Sequence, residues 1–106
     1  MIVVNRFRVP QTEQQAFRAD LERAHETLAT QQGYVAGRIG RNVDDPELWV
    51  LTTEWEGPGA YRRALSAYDV KLTAVPVLSR AVDEPSAYET VEPGTELNVA
   101  GTRSLG

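Results

Sequence analysis

The 106-residue chain has no cysteine, which excludes disulfides, thiolate metal sites and cysteine nucleophiles. Its single histidine, His25, excludes a metal site built from several imidazoles of one chain. No apolar run approaches the ~20 residues of a membrane-spanning helix, so no membrane partner is expected. The start, Met1-Ile2-Val3-Val4-Asn5, has neither the basic segment nor the long apolar stretch of a secretory leader, and the expected location is the cytoplasm. Lysine is nearly missing too: Lys71 stands against ten arginines. Fifteen acids against eleven cations leave a formal charge of −4, which argues against a nucleic-acid partner. The length suits one domain with a modest core and is too short for a dinucleotide-binding doubly wound sheet or a TIM barrel.

What is present is organised by clear breaks. Ile2 to Val9 is rich in β-branched residues and ends at Pro10, which reads as a strand. Thr12-Glu13-Gln14-Gln15 fits a capping box opening a helix. Phe17, Leu21, Ala24, His25 and Leu28 recur at helical spacing and predict one apolar stripe. Gln31-Gln32-Gly33 closes that helix, with Gly33 suited to a left-handed cap. Tyr34 to Arg41 and Leu48 to Trp55 read as an antiparallel hairpin around the turn cluster Asn42-Val43-Asp44-Asp45-Pro46. Gly57-Pro58-Gly59 breaks the chain before a helix over 60–67. A second helical piece is expected over 69–80, interrupted near Pro76, and a last strand over 86–91. From Glu92 on, few apolar anchors remain. The expected division is a domain over 1–91 and a loose polar tail over 92–106.

The resulting order, β-α-β-β-α-β, predicts an α+β ferredoxin-like fold with a four-stranded antiparallel sheet. Helices suffice to cover one sheet face only. The strand over 48–55 starts apolar on both sides, so the second face also calls for cover. A second copy is the simplest one, and a homodimer joined sheet to sheet into an α/β barrel is expected.

Several residues carry a family resemblance over residues 2–91. These are Val4-Asn5-Arg6-Phe7, Gly33-Tyr34, and Leu51-Thr52-Thr53-Glu54-Trp55-Glu56 followed by Ala60-Tyr61. The chain resembles the antibiotic biosynthesis monooxygenase (ABM) domains of the dimeric α/β-barrel superfamily. One branch comprises cofactor-independent monooxygenases that oxidise polyketide anthrones to quinones. In that branch a Trp at the end of the third strand and a Tyr six residues later line the pocket, and Trp55 and Tyr61 match both. The pattern also has an Asn four residues before that Trp, where this chain has Leu51. A second branch degrades haem with a first-strand Asn, matched by Asn5, and a Trp and a His. Ala64 and Ala74 stand near those two positions, so the iron would lack an axial ligand. The resemblance therefore implies oxidation of a small aromatic substrate (an anthrone, phenol or quinol) by dioxygen. No cofactor is expected, since the sequence shows no flavin, haem or metal motif. A non-catalytic dimer binding a hydrophobic ligand, and a cofactor-free isomerase or cyclase, are the alternatives.

The candidate catalytic residues are Asn5, Trp55, Tyr61 and His25. Asn5 can donate to a substrate carbonyl or enolate, or be a buried amide satisfied locally. Trp55 offers an indole N–H and a flat surface to a ligand, or anchors the strand end. Tyr61 can direct a hydroxyl into a cavity. His25 can serve as a general base for a phenol or anthrone, or sit as a boundary histidine on the apolar stripe. Phe7, Leu51 and Tyr68 are the candidate substrate-binding residues, with core packing as the plainer reading of each. Arg38, Arg41 and Arg80 could meet an anionic substrate, but exposed arginines are usually solvated or paired on the surface.

Overall fold

The computed structural model describes residues 1–97. Four antiparallel strands, β1 (Ile2–Arg8), β2 (Tyr34–Arg41), β3 (Leu48–Trp55) and β4 (Ala87–Tyr88), form one sheet in the order β2-β3-β1-β4. Helices α1 (Gln14–Ala29), α2 (Pro58–Ser66), α3 (Tyr68–Thr73) and α4 (Val75–Leu78) complete the ferredoxin-like α+β fold. No described helix is long and apolar enough to cross a membrane.

Strand alternation sorts the side chains into two faces. Val3, Asn5 and Phe7 of β1 are buried, as are Trp49, Leu51, Thr53 and Trp55 of β3. Onto this face α1 packs Phe17, Leu21, Ala24 and Leu28, the stripe that its spacing predicts, and α2 adds Ala60 and Ala64. The opposite face carries Ile2, Val4, Arg6 and Arg8 beside Glu54, Thr52, Val50 and Leu48, their cross-strand partners. Ile2, Val4, Leu48 and Val50 there are only half-buried. The β2–β3 turn is closed by Asn42, whose side-chain oxygen accepts from the Asp44 and Asp45 amides at 2.9 and 2.8 Å. Arg8 bonds Asp45 at 3.0 Å and, with the Glu47 amide, holds that carboxyl below its ordinary range.

Some boundaries differ from expectation for local reasons. The Glu13 amide donates to the Pro10 carbonyl at 2.9 Å, closing a 3-10 turn over Gln11–Glu13. Thr12 therefore lies inside that turn, α1 starts at Gln14, and no side chain caps it, so the capping box does not form. The helix ends at Ala29, four residues ahead of Gly33, which does take the left-handed conformation (φ +91°) with its backbone against Ala60. The interruption expected near Pro76 falls at Ala74, because the proline occupies the first turn of α4 and constrains what precedes it. The last strand is Ala87–Tyr88 rather than 86–91. Single bonds still tie its approach to β1: Val82 N–H to the Arg6 carbonyl and Val4 N–H to the Ser86 carbonyl, 2.8 and 2.7 Å. Arg6 adds a two-pronged ion pair to Glu84 at 2.7 and 3.0 Å. Of the tail expected over 92–106, residues 98–106 lie outside the described residues.

Candidate active site

Trp55 is the last residue of β3 and faces the helices with 1% exposure. Gly57 then turns the chain in extended conformation, and Pro58, pre-set for the first helical turn, starts α2. That short return lays Tyr61 back over Trp55, with ring centroids 5.3 Å apart at 53°. On the other side Tyr34, the first residue of β2, meets the indole edge-on at 5.5 Å and 87°. The Trp55 indole N–H donates to the Thr53 hydroxyl at 2.9 Å. Thr53 is itself buried, two residues back on the same strand face. Trp55 is thus a fixed wall between two tyrosines, with its donor already engaged.

Asn5 lies on β1 opposite Leu51 of β3, and 8% of its surface is exposed. Leu51 is fully buried, so a methyl-bearing side chain is the amide's cross-strand neighbour. Burial pushes the Tyr61 phenol above its ordinary pKa, and the nearby Asn5 amide works in the opposite direction. Tyr61 therefore stays protonated at neutral pH, which makes its hydroxyl a hydrogen-bond donor. It lines a cavity of about 400 Å³ with Met1, Pro58, Leu65, Pro85 and Ala87. Arg62 and Glu84 supply charge at the same cavity, the latter engaged by Arg6.

Three of the four candidate catalytic residues thus gather, since Asn5 and Trp55 both meet Tyr61, but of the three Tyr61 alone is among the residues lining the cavity; Asn5 and Trp55 lie behind it. His25 does not join them. Its Nε2 is 2.7 Å from the Tyr34 hydroxyl, on the far side of Trp55 from Tyr61. Both groups lie over Gly37, where an added Cβ would come within 2.6 Å of each. Of the candidate binding residues, Phe7 is 1% exposed and packs on Phe17 at 5.2 Å, away from Tyr61. Leu51 lies under Asn5's neighbourhood as core, and Tyr68 is 78% exposed at the start of α3. Helical spacing alone aligned Tyr68 with Tyr61, but the chain turns extended at Ala67 and ends that alignment. Arg41 and Arg80 lie over Trp49 and Phe17, at 5.8 and 4.9 Å from the ring centroids, and Arg38 is exposed. Among the described residues no group of three or more His, Asp or Glu side chains is placed to hold a metal.

Sequence reasoning overlooked Tyr34 and Thr53 as members of this cluster. Their signal was positional: Tyr34 heads the strand paired with Trp55, and Thr53 shares its face.

The family model described as antibiotic biosynthesis monooxygenase matches residues 1–73. Among solved structures, SnoaB, a cofactor-independent oxygenase from Streptomyces nogalater, is similar with a TM-score of 0.69 and 22% identity. That match covers 90% of this chain and 96% of SnoaB. A variant of SnoaB with one Asn replaced by Ala matches at 26% identity and TM-score 0.65, over 76% of this chain and 82% of the variant. A conserved protein from Methanosarcina mazei has a TM-score of 0.67 and 20% identity, over 81% and 84% of the two chains. A search of curated proteins found no match.

Proposed function

Because this chain belongs to the antibiotic biosynthesis monooxygenase family, we propose that it oxidises a small aromatic substrate of anthrone, phenol or quinol type with dioxygen. The observation that carries the reading is the placement of Tyr61: the residue lines the cavity, its ring packs on Trp55, and the Asn5 amide stands behind it.

In this reading the substrate supplies the electrons. An anthrone loses a proton to give an electron-rich anion, which reacts with dioxygen; the methylene becomes a carbonyl and water leaves. The protein holds the flat ring system against apolar walls and stabilises the oxyanion. The Tyr61 hydroxyl is the donor for that charge, and the Asn5 amide behind it orients and supports it. Trp55 fixes the Tyr61 ring rather than donating, since its N–H is bonded to Thr53. His25 is too far round the aromatic cluster to take the substrate proton directly, so the reading favours a substrate that ionises readily.

Oxygen uptake tests this, with a panel of anthrones, hydroquinones and phenols, no added cofactor and a chelator present. Uptake should require the protein and fall about 100-fold or more in Asn5→Ala or Tyr61→Phe, the usual loss for one oxyanion donor. Equal rates in both variants and wild type would overturn the assignment of these residues.

Leu51 favours one second reading, a dimer that binds a hydrophobic ligand without turnover. It puts a buried apolar side chain where the monooxygenase pattern has an Asn. Saturable binding of the same panel without oxygen uptake would support it. An isomerase or cyclase would instead form product without consuming oxygen. In either case we place the working molecule in the cytoplasm as a homodimer, its functional unit ending near residue 91.

A further inference from the structure

Four side chains from separate elements touch in sequence: Tyr61 of α2, Trp55 of β3, Tyr34 of β2 and His25 of α1. Ring centroids are 5.3 and 5.5 Å apart along the first two steps, and the last is a 2.7 Å hydrogen bond. Three are oxidisable aromatics in near contact. The two tyrosines flank one indole and differ in what stands at their hydroxyls. The Tyr34 hydroxyl lies 2.7 Å from an imidazole nitrogen that is a base in the tautomer protonated on Nδ1, whereas the amide beside Tyr61 is a base in no form. A phenol gives up an electron readily only when its proton can leave at the same time. Tyr34 meets that condition and Tyr61 does not.

We propose that Tyr34 and His25 form the terminus of an electron relay that draws oxidising equivalents out of the cavity through Trp55. A peroxyl radical in the cavity takes one electron from Trp55, across the Tyr61 ring that separates the indole from the cavity, and becomes the corresponding anion. The indole N–H faces the Thr53 hydroxyl, a poor base, so the Trp55 radical cation keeps its proton and remains strongly oxidising. Tyr34 returns the electron to Trp55, and its hydroxyl proton passes to His25 Nε2, in the tautomer protonated on Nδ1. The products are a neutral tyrosyl radical, an imidazolium and an intact indole, and charge balances against the anion in the cavity.

The local construction fits this role. Gly37 leaves the space in which imidazole and phenol meet; a methyl group there would lie within 2.6 Å of both polar atoms. Burial raises the Tyr34 pKa, so the phenol is protonated and carries the proton that the relay moves. The use of the relay in turnover rests on the oxygen chemistry proposed above; its geometry and its test do not.

The test generates the hole on Trp55 directly. In a Trp49→Phe, Tyr68→Phe, Tyr88→Phe background, Trp55 is the one indole, and Tyr34 and Tyr61 are the two tyrosines. Flash photo-ionisation of Trp55, followed by transient absorption and electron paramagnetic resonance, should show the tryptophanyl signal replaced by a tyrosyl signal. Tyr61→Phe should keep the tyrosyl signal and Tyr34→Phe should lose it. His25→Gln should slow its rise. Circular dichroism of each variant establishes that it is folded, and the Tyr61→Phe arm remains decisive if Tyr34→Phe is not. A tyrosyl signal lost in Tyr61→Phe, retained in folded Tyr34→Phe, or absent from the background protein overturns the proposal. So does a rise indifferent to His25.

Discussion

Replacing Gly37 with alanine should destabilise the protein through one contact that the sequence alone does not reveal. The added Cβ would lie 2.6 Å from His25 Nε2, 2.6 Å from the Tyr34 hydroxyl oxygen and 3.0 Å from the Thr52 carbonyl oxygen. The last is backbone of the paired strand and cannot swing aside, so imidazole and phenol must move. Loss of their hydrogen bond costs about 1 kcal/mol. A displaced Tyr34 also weakens its edge-on packing against Trp55, about 0.5–1.5 kcal/mol. Relief of strain in a packed site adds about 1–2 kcal/mol. Against these, alanine gains about 0.5–1 kcal/mol over glycine in an extended segment through its smaller loss of chain entropy. The net expectation is a loss of about 1.5–4 kcal/mol, a large share of the roughly 5–15 kcal/mol that holds a domain of this size. Gly57→Ala is the control: nothing lies within 4 Å of its added Cβ and its φ of −179° suits any residue. That variant should match wild type or exceed it by up to about 1 kcal/mol. Urea unfolding followed by tryptophan fluorescence, at one protein concentration so that any oligomerisation is held constant, gives both values. The reasoning fails if Gly37→Ala lies within about 0.5 kcal/mol of Gly57→Ala.

The two tryptophans should respond differently to phenylalanine. The Trp49 indole N–H is buried without a partner, so Trp49→Phe removes an unmet donor along with ring area and should stay within about 1 kcal/mol of wild type. Trp55→Phe breaks the bond to Thr53 and both ring contacts and should cost about 2–3 kcal/mol in the same unfolding assay; equal costs would refute this ordering. Burial raises the phenol pKa of Tyr34 and Tyr61 above 10.0, so the folded state binds more protons than the unfolded chain in the alkaline range. Their contribution is complete below pH 10.0 and is lost as pH rises through the folded values; Tyr34→Phe with Tyr61→Phe should therefore flatten the decline in stability above that pH. The proposed homodimer predicts that the wild-type chain sediments as a dimer and that Val50→Lys, which places a charge amid the half-buried apolar residues of the open sheet face, sediments as a folded monomer; a monomeric wild type or an unchanged variant would refute the sheet-to-sheet contact.

The hairpin strands were legible in the sequence to their end residues because local signals agree there. Alternating side chains run from Leu48, and Gly33, the Asn42–Pro46 cluster and Gly57 punctuate the two strands. The stripe on α1 was legible for a similar reason, since four apolar positions on one face admit one packing direction. Where two devices competed, local reading failed. Thr12 suits a cap, but the Pro10 carbonyl takes the Glu13 amide first and turns the cap position into the inside of a 3-10 turn. The site divides along the same line. Trp55 and Tyr61 are six residues apart across a single break, so their meeting follows from β3 handing over to α2. The partnership of His25 with Tyr34 depends instead on how closely α1 approaches β2, and Gly37 sets that distance. A glycine in a strand announces a close approach without naming what approaches. Here it is a hydrogen-bonded imidazole and phenol, and that pairing moves His25 from the cavity, where its chemistry suggested a base for substrate, to Tyr34.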